Sequence, residues 1–122
     1  MPRRILLVDD DKLLREMIAL LLVERGYSVS EANNGRIAME EMLRQPVDLV
    51  ITDMLMPEMD GVETIVALRR SYPDVKIIAI SDNGLGPAEN FLKIASKLGA
   101  RKTFAKPLDP QQLLTAVQEL IA

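Results

Sequence analysis

Two alternating hydrophobic periods predict an α/β fold, a doubly wound parallel sheet of five strands with helices on both faces. Short apolar runs of strand length recur along the 122 residues, and between them the apolar positions change to helical spacing. Runs such as "VDLVIT" have no polar face, so they need cover on both sides, which a parallel sheet between two helical layers supplies. Right-handed crossovers leave few topologies for such a chain, and the doubly wound sheet is favoured among them.

The first strand is "RILLV" (Arg4–Val8), and "KLLREMIALLLVERG" follows it as a helix. Leu14, Met17, Ile18, Leu21 and Leu22 fall at i, i+3, i+4, i+7 and i+8, the expected buried stripe, and Gly26 is the stop. "YSVSEA" alternates and reads as the second strand; "GRIAMEEMLRQ" is a helix ended by Pro46. "VDLVIT" is the third strand, "GVETIVALRRSY" a helix ended by Pro73, and "VKIIAI" the fourth strand. The next helix is expected from near Pro87 to Gly99, with Phe91, Ile94, Ala95 and Leu98 inward. "KTFA" is a weak fifth strand. Asp109 then caps a final helix with Pro110 at its first position and Gln112 completing a capping-box pattern. Leu113, Leu114, Val117, Leu120 and Ile121 form its expected buried face. Met17, Met39, Met42, Met54, Met56 and Met59 are expected in core or loop packing.

Composition narrows the chemistry. A single domain over residues 1–122 is expected, with no effector domain in this chain. A net charge of −3 argues against nucleic acid or an anionic membrane as the main partner. No apolar run approaches the ~20 residues of a membrane span, and "MPRRILLVDD" has too short an apolar core for a signal peptide, so a cytoplasmic location is expected. The chain has no Cys and no His, which excludes disulfides, thiol sites, Ser-His-Asp triads, His-ligated zinc and a phosphohistidine of its own. Carboxylates, hydroxyls, Lys and backbone are what remain.

Ligands of open α/β sheets bind outside the carboxyl ends of the strands. There the first strand runs into Asp9, Asp10 and Asp11, the third into Asp53, the fourth into Ser81 and the fifth into Lys106. Asp11 reads as the cap of the first helix. The other acids would repel one another unless a positive charge sat between them. Clustered carboxylates without His or Cys suit a hard cation, Mg²⁺ with Mn²⁺ as its substitute, and a cation, a Lys and a hydroxyl are the groups that stabilise a transferring phosphoryl group. An ordinary aspartate is ionised at neutral pH and attacks phosphorus without a general base.

"LLVDDD", "DMLMPEMDG", "AISDNG" and "TFAKPL", in this order and at this spacing, resemble the landmarks of response-regulator receiver domains over nearly the whole chain. The resemblance implies a flavodoxin-like (βα)₅ sheet of strand order 2-1-3-4-5. It implies Asp53 as the acceptor of a phosphoryl group from a histidine kinase or a histidine phosphotransfer protein. Asp10 resembles the direct Mg²⁺ ligand and Asp9 one acting mostly through water, with Asp53 and the backbone carbonyl of Leu55 completing the set. Ser81 resembles the switch hydroxyl, and Lys106 the Lys that pairs with the phosphate. Lys106–Pro107 resembles the family's cis peptide, and Pro57 and Gly61 the turn into the third helix. The readout is expected on the face of the fourth helix, fifth strand and fifth helix, toward a downstream effector domain or protein. A monomer or a phosphorylation-dependent homodimer fits the family.

Two positions depart from the family pattern. Thr103 occupies the usual aromatic switch position, and Phe104 alternates to the other face of the strand. Asp82 follows the switch hydroxyl where a small residue is usual, an acid at the phosphoryl entrance that is expected to change phosphorylation or dephosphorylation kinetics. Three other readings fit less well. A Mg²⁺-dependent phosphohydrolase needs a second acid two residues after the nucleophile, where Leu55 stands. A flavin carrier would meet acidic strand ends that repel its phosphate. A receiver acting only as an unphosphorylated interaction module leaves the acid, Ser and Lys set without a purpose.

Overall fold

Strand β1 (Arg4–Val8) lies between β2 (Ser28–Ala32) and β3 (Leu49–Asp53), and β4 (Lys76–Ser81) and β5 (Lys102–Ala105) extend the sheet beyond β3. Every pairing is parallel and the order is β2-β1-β3-β4-β5, as expected. This computed structural model describes residues 2–54, 56, 59–81 and 88–122. Leu55, Pro57, Asp82 and Pro87 lie outside the described residues.

The three inner strands, β1, β3 and β4, have no polar face because both their faces are buried, whereas the edge strands β2 and β5 are partly exposed. Ile5, Leu7, Leu49, Ile51, Ile78 and Ile80 pack with helices α1 (Lys12–Glu24) and α5 (Pro110–Ile121). Leu6, Val8, Val50, Ile77 and Ala79 pack with α2 (Gly35–Arg44), α3 (Gly61–Ser71) and α4 (Ala88–Lys97). Alternate residues of one strand thus enter different cores. In register, Phe104 pairs with Ile80 and packs on the α1/α5 core, whereas Thr103 pairs with Ala79 of the opposite core.

The helix ends follow local chemistry. The side chains of Asp11, Asn34, Asp60 and Asp109 accept from backbone N–H groups of the first turns of α1, α2, α3 and α5. Gly26 and Gly99, just past α1 and α4, have φ of +94° and +113°, the left-handed region that favours glycine.

Three expectations need correction. In α1 the fully buried face is Ile18, Ala19 and Leu22, with Leu14 and Leu21 at its margin, and Met17 is 50% exposed. The stripe read from apolar spacing is rotated from the true inner face, because the inner position one turn before Ile18 is held by Arg15. Ile94 of α4 is exposed, and in α5 Ala116 is buried where Leu120 is only half-buried. Among the methionines, Met42 and Met54 are core residues, Met39 and Met56 pack at the core margin, and Met17 is not a packing residue.

Gly61 matters most for the site. A Cβ there would lie 2.5 Å from Met54 Cα and 2.6 Å from the Asp53 carbonyl oxygen. The Gly61 N–H donates to the Met54 carbonyl at 3.2 Å, so the first turn of α3 is pressed against the end of β3. Gly61→Ala must push these backbones apart and is expected to cost about 1–3 kcal/mol, measured as a lower urea midpoint. An unchanged midpoint would show that this contact relaxes freely.

Candidate functional site

Asp53 is the last residue of β3, next to β1 and β4, and its side chain leaves the sheet at the carboxyl edge. Asp9 follows β1 directly, and its N–H continues the ladder to the Ala32 carbonyl at 3.1 Å. Asp9 and Asp53 are each 2% exposed, while Asp10 is open to solvent. One carboxylate oxygen from each of Asp9, Asp10 and Asp53 lies within 4.8 Å of the others.

Lys106 supplies the positive charge that such crowding requires. Its Nζ is 3.4 Å from Asp9 Oδ2 and 3.3 Å from Asp53 Oδ2. The Lys106 N–H donates to the Ser81 carbonyl at 2.8 Å, so the ends of β4 and β5 are joined at the site. Ser81 is fully buried at the end of β4, and Lys106–Pro107 is a cis peptide. The carboxyl edge therefore brings together Asp9, Asp10, Asp53, Ser81 and Lys106, the described part of the expected set. Asp11 stands apart as the α1 cap, accepting from Leu14 N–H at 3.1 Å.

Electrostatics and burial oppose one another here. Burial pushes the Asp9 carboxyl above the usual carboxylate range, against the Asp11 N–H that donates to its Oδ1 at 2.9 Å and the Lys106 ammonium; Asp10 adds to the upward push. Burial draws Lys106 down, but Asp53 and Asp9 together outweigh it and hold the ammonium above its ordinary value. Lys106 is therefore charged at neutral pH. Three convergent carboxylates are hard oxygen donors, so the cluster is suited to holding a divalent cation.

The sequence pattern described as "Response regulator receiver domain" matches residues 5–118. The chain belongs to that family. The receiver domain is 34% identical over 121 residues to chemotaxis protein CheY of Thermotoga maritima, covering 98% of each chain. It is 39% identical to part of sensor kinase CckA of Brucella abortus, covering 96% of this chain but 12% of that protein. A solved structure of a putative response regulator from Chloroflexus aurantiacus superimposes with a TM-score of 0.88 at 29% identity, covering 98% of both chains. Receiver domains are signalling domains of two-component systems, not enzymes in the ordinary sense. Among the described residues, no helix is long and apolar enough to cross a membrane.

Sequence reasoning missed Arg15 and Glu31. The guanidinium donates from NH1 to the Asp9 carbonyl at 2.7 Å and from Nε to Glu31 Oε1 at 3.0 Å. The available signal was the helical spacing of Arg15, Ile18, Ala19 and Leu22 at i, i+3, i+4 and i+7.

Replacing Lys106 by Met leaves Asp9 and Asp53 facing each other without an ammonium, and removes one influence that holds the Asp9 pKa down. The folded protein then takes up a proton at higher pH than the unfolded chain, so its stability improves as pH falls through that range. Lys106→Met is expected to lose about 2–3 kcal/mol near neutral pH, less than a fully enclosed pair because Asp10 opens the site to water. Part of the loss should return on mild acidification, as Asp9 takes up its proton. Urea unfolding at neutral and at mildly acidic pH measures this, and a deficit that grows on acidification contradicts the charge account.

Proposed function

We propose that this receiver domain is a phosphorylation-controlled switch in which Asp53 accepts a phosphoryl group from the phosphohistidine of a histidine kinase or a histidine phosphotransfer protein. The observation that carries the reading is the convergence of Asp9, Asp10, Asp53 and Lys106 at the carboxyl edge of the sheet. A carboxylate oxygen of Asp53 forms a bond to phosphorus while the phosphorus–nitrogen bond of the donor breaks. The electron pair leaves with the imidazole, which takes its proton from solvent. Lys106, already between Asp9 and Asp53, is within reach of the new phosphoryl oxygens and offsets their charge.

Asp10 and Asp53, with Asp9 and the Leu55 carbonyl that the family resemblance adds, would hold Mg²⁺ or Mn²⁺. When bound, that ion supplies charge neutralisation to the transferring phosphoryl group. Phosphorylation replaces one carboxylate charge by roughly −2 and adds acceptor oxygens. Ser81 moves toward them, and its main-chain bond with Lys106 carries the change into the end of β5 and the α4–β5–α5 face, where a downstream effector domain or protein reads it. Ring rotation at the strand does not transmit this change, because Thr103 stands at the switch position and Phe104 packs against the opposite core. The domain works in the cytoplasm, as a monomer or a phosphorylation-dependent homodimer, and does not contact nucleic acid directly.

The deciding measurement is phosphoryl labelling of wild type and Asp53→Asn with and without Mg²⁺. Labelling only of the wild type and only with metal is expected; equal labelling of the Asn variant, or no need for metal, overturns the assignment. Asp82→Ala is expected to label faster with acetyl phosphate or to change the phosphoryl half-life, because the family resemblance puts this acid at the phosphoryl entrance, where it would repel an anionic donor. Unchanged rates in both directions would remove Asp82 from the mechanism.

A further inference from the structure

We propose that Arg15 is a positioning residue for the carboxylate cluster, holding the Asp9–Asp10 backbone so that Asp10 can share a divalent cation with Asp53. The inference rests on the cation-site reading above. Asp10 is the exposed member of the cluster, so packing does not hold its side chain in place. Its place is set by the backbone around it, and that backbone is held at three points.

The Asp11 N–H is bonded to Asp9 Oδ1 at 2.9 Å, and the Arg15 N–H closes the first helical turn on the Asp11 carbonyl at 2.9 Å. The third point is the Asp9 carbonyl, where β1 has ended and the chain turns into α1. A carbonyl leaving the ladder at a buried residue needs another donor. Arg15 NH1 supplies it at 2.7 Å, a charge-assisted bond. The guanidinium is itself held by Nε on Glu31 Oε1, and its side chain is 13% exposed. Glu31 of β2 is in register with Leu7 of β1, so one planar fork ties the ends of β1 and β2 to the first turn of α1. A ligand's supporting bonds of this kind typically affect metal affinity by tenfold or more.

Charge and position make opposite predictions, which gives the test its sign. Removing a cation near three acids should tighten binding of a divalent cation if electrostatics dominated. Loosening the Asp9–Asp10 backbone should weaken it. Mn²⁺ titration of the full chain, followed by loss of the free-ion paramagnetic resonance signal, measures affinity without any phosphoryl donor, and melting curves in metal-free buffer report stability separately.

Arg15→Gln is expected to bind Mn²⁺ roughly tenfold more weakly. Arg15→Lys, which keeps the charge but cannot form both bonds of the fork, is expected to lie between the two. If Arg15→Gln melts early yet binds as tightly as wild type, or more tightly, Arg15 is only structural and the inference is overturned. Should the Gln variant fail to fold, Arg15→Lys carries the test, and wild-type affinity in it overturns the inference. Wild type that binds no Mn²⁺, or Asp10→Asn that binds as well as wild type, overturns the cation-site reading itself and this inference with it.

Discussion

Lys106 Nζ lies between the carboxylates of Asp9 and Asp53, and the organisation of the carboxyl edge follows from that contact. Two acids buried to 2% exposure, with a third beside them, would ordinarily repel one another and escape to water. The ammonium offsets enough of their charge for β1 and β3 to end in acids at one edge. It does so while its own pKa is held up by the same two acids, so the counter-charge persists at neutral pH. The arrangement is poised. Its lysine faces both buried acids, and the crowded negative charge that remains is what a divalent cation would neutralise.

The scaffold keeps that poise by close approach of backbone more than by side-chain bonds. Gly61 brings the start of α3 within van der Waals contact of Asp53 and Met54. Gly35 does the same for α2, where a Cβ would collide with Thr64 Oγ1 and the Met59 carbonyl, and its N–H donates to that carbonyl at 3.2 Å. Thr64 Oγ1 also donates to the Asp60 carbonyl at 2.7 Å. These contacts hold the described residues between β3 and α3 against two helix starts. The Ser81 carbonyl and the Lys106 N–H form the corresponding joint on the other side of the site.

Much of this was legible because it depends on period and on strand ends. All five strands and all five helices were visible as hydrophobic spacings, since the inner strands, buried on both faces, carry no polar interruption and the edge strand β2 alternates. The caps at Asp11 and Asp109 were visible because they act through local bonds within one turn. The α1 face was misread because apolar spacing cannot recognise a charged residue whose partners lie outside its helix. Arg15 occupies an inner position that hydrophobicity assigns to Leu14 or Met17, and only the Asp9 carbonyl and Glu31 explain why it can.

By itself, the sequence determined the alternation of elements, the order of acids, hydroxyl and lysine along the chain, and the opposite faces of Thr103 and Phe104. Each of these follows from local geometry or from the two-residue repeat of a strand. The tertiary structure alone decided which acids are buried, that Lys106 bridges Asp9 and Asp53, and that Arg15 and Glu31 hold the backbone behind them. Those features depend on residues from different elements, some of them tens of positions apart, meeting at one sheet edge. Burial and distance, which set the balance of desolvation against charge, have no value until the strands are paired.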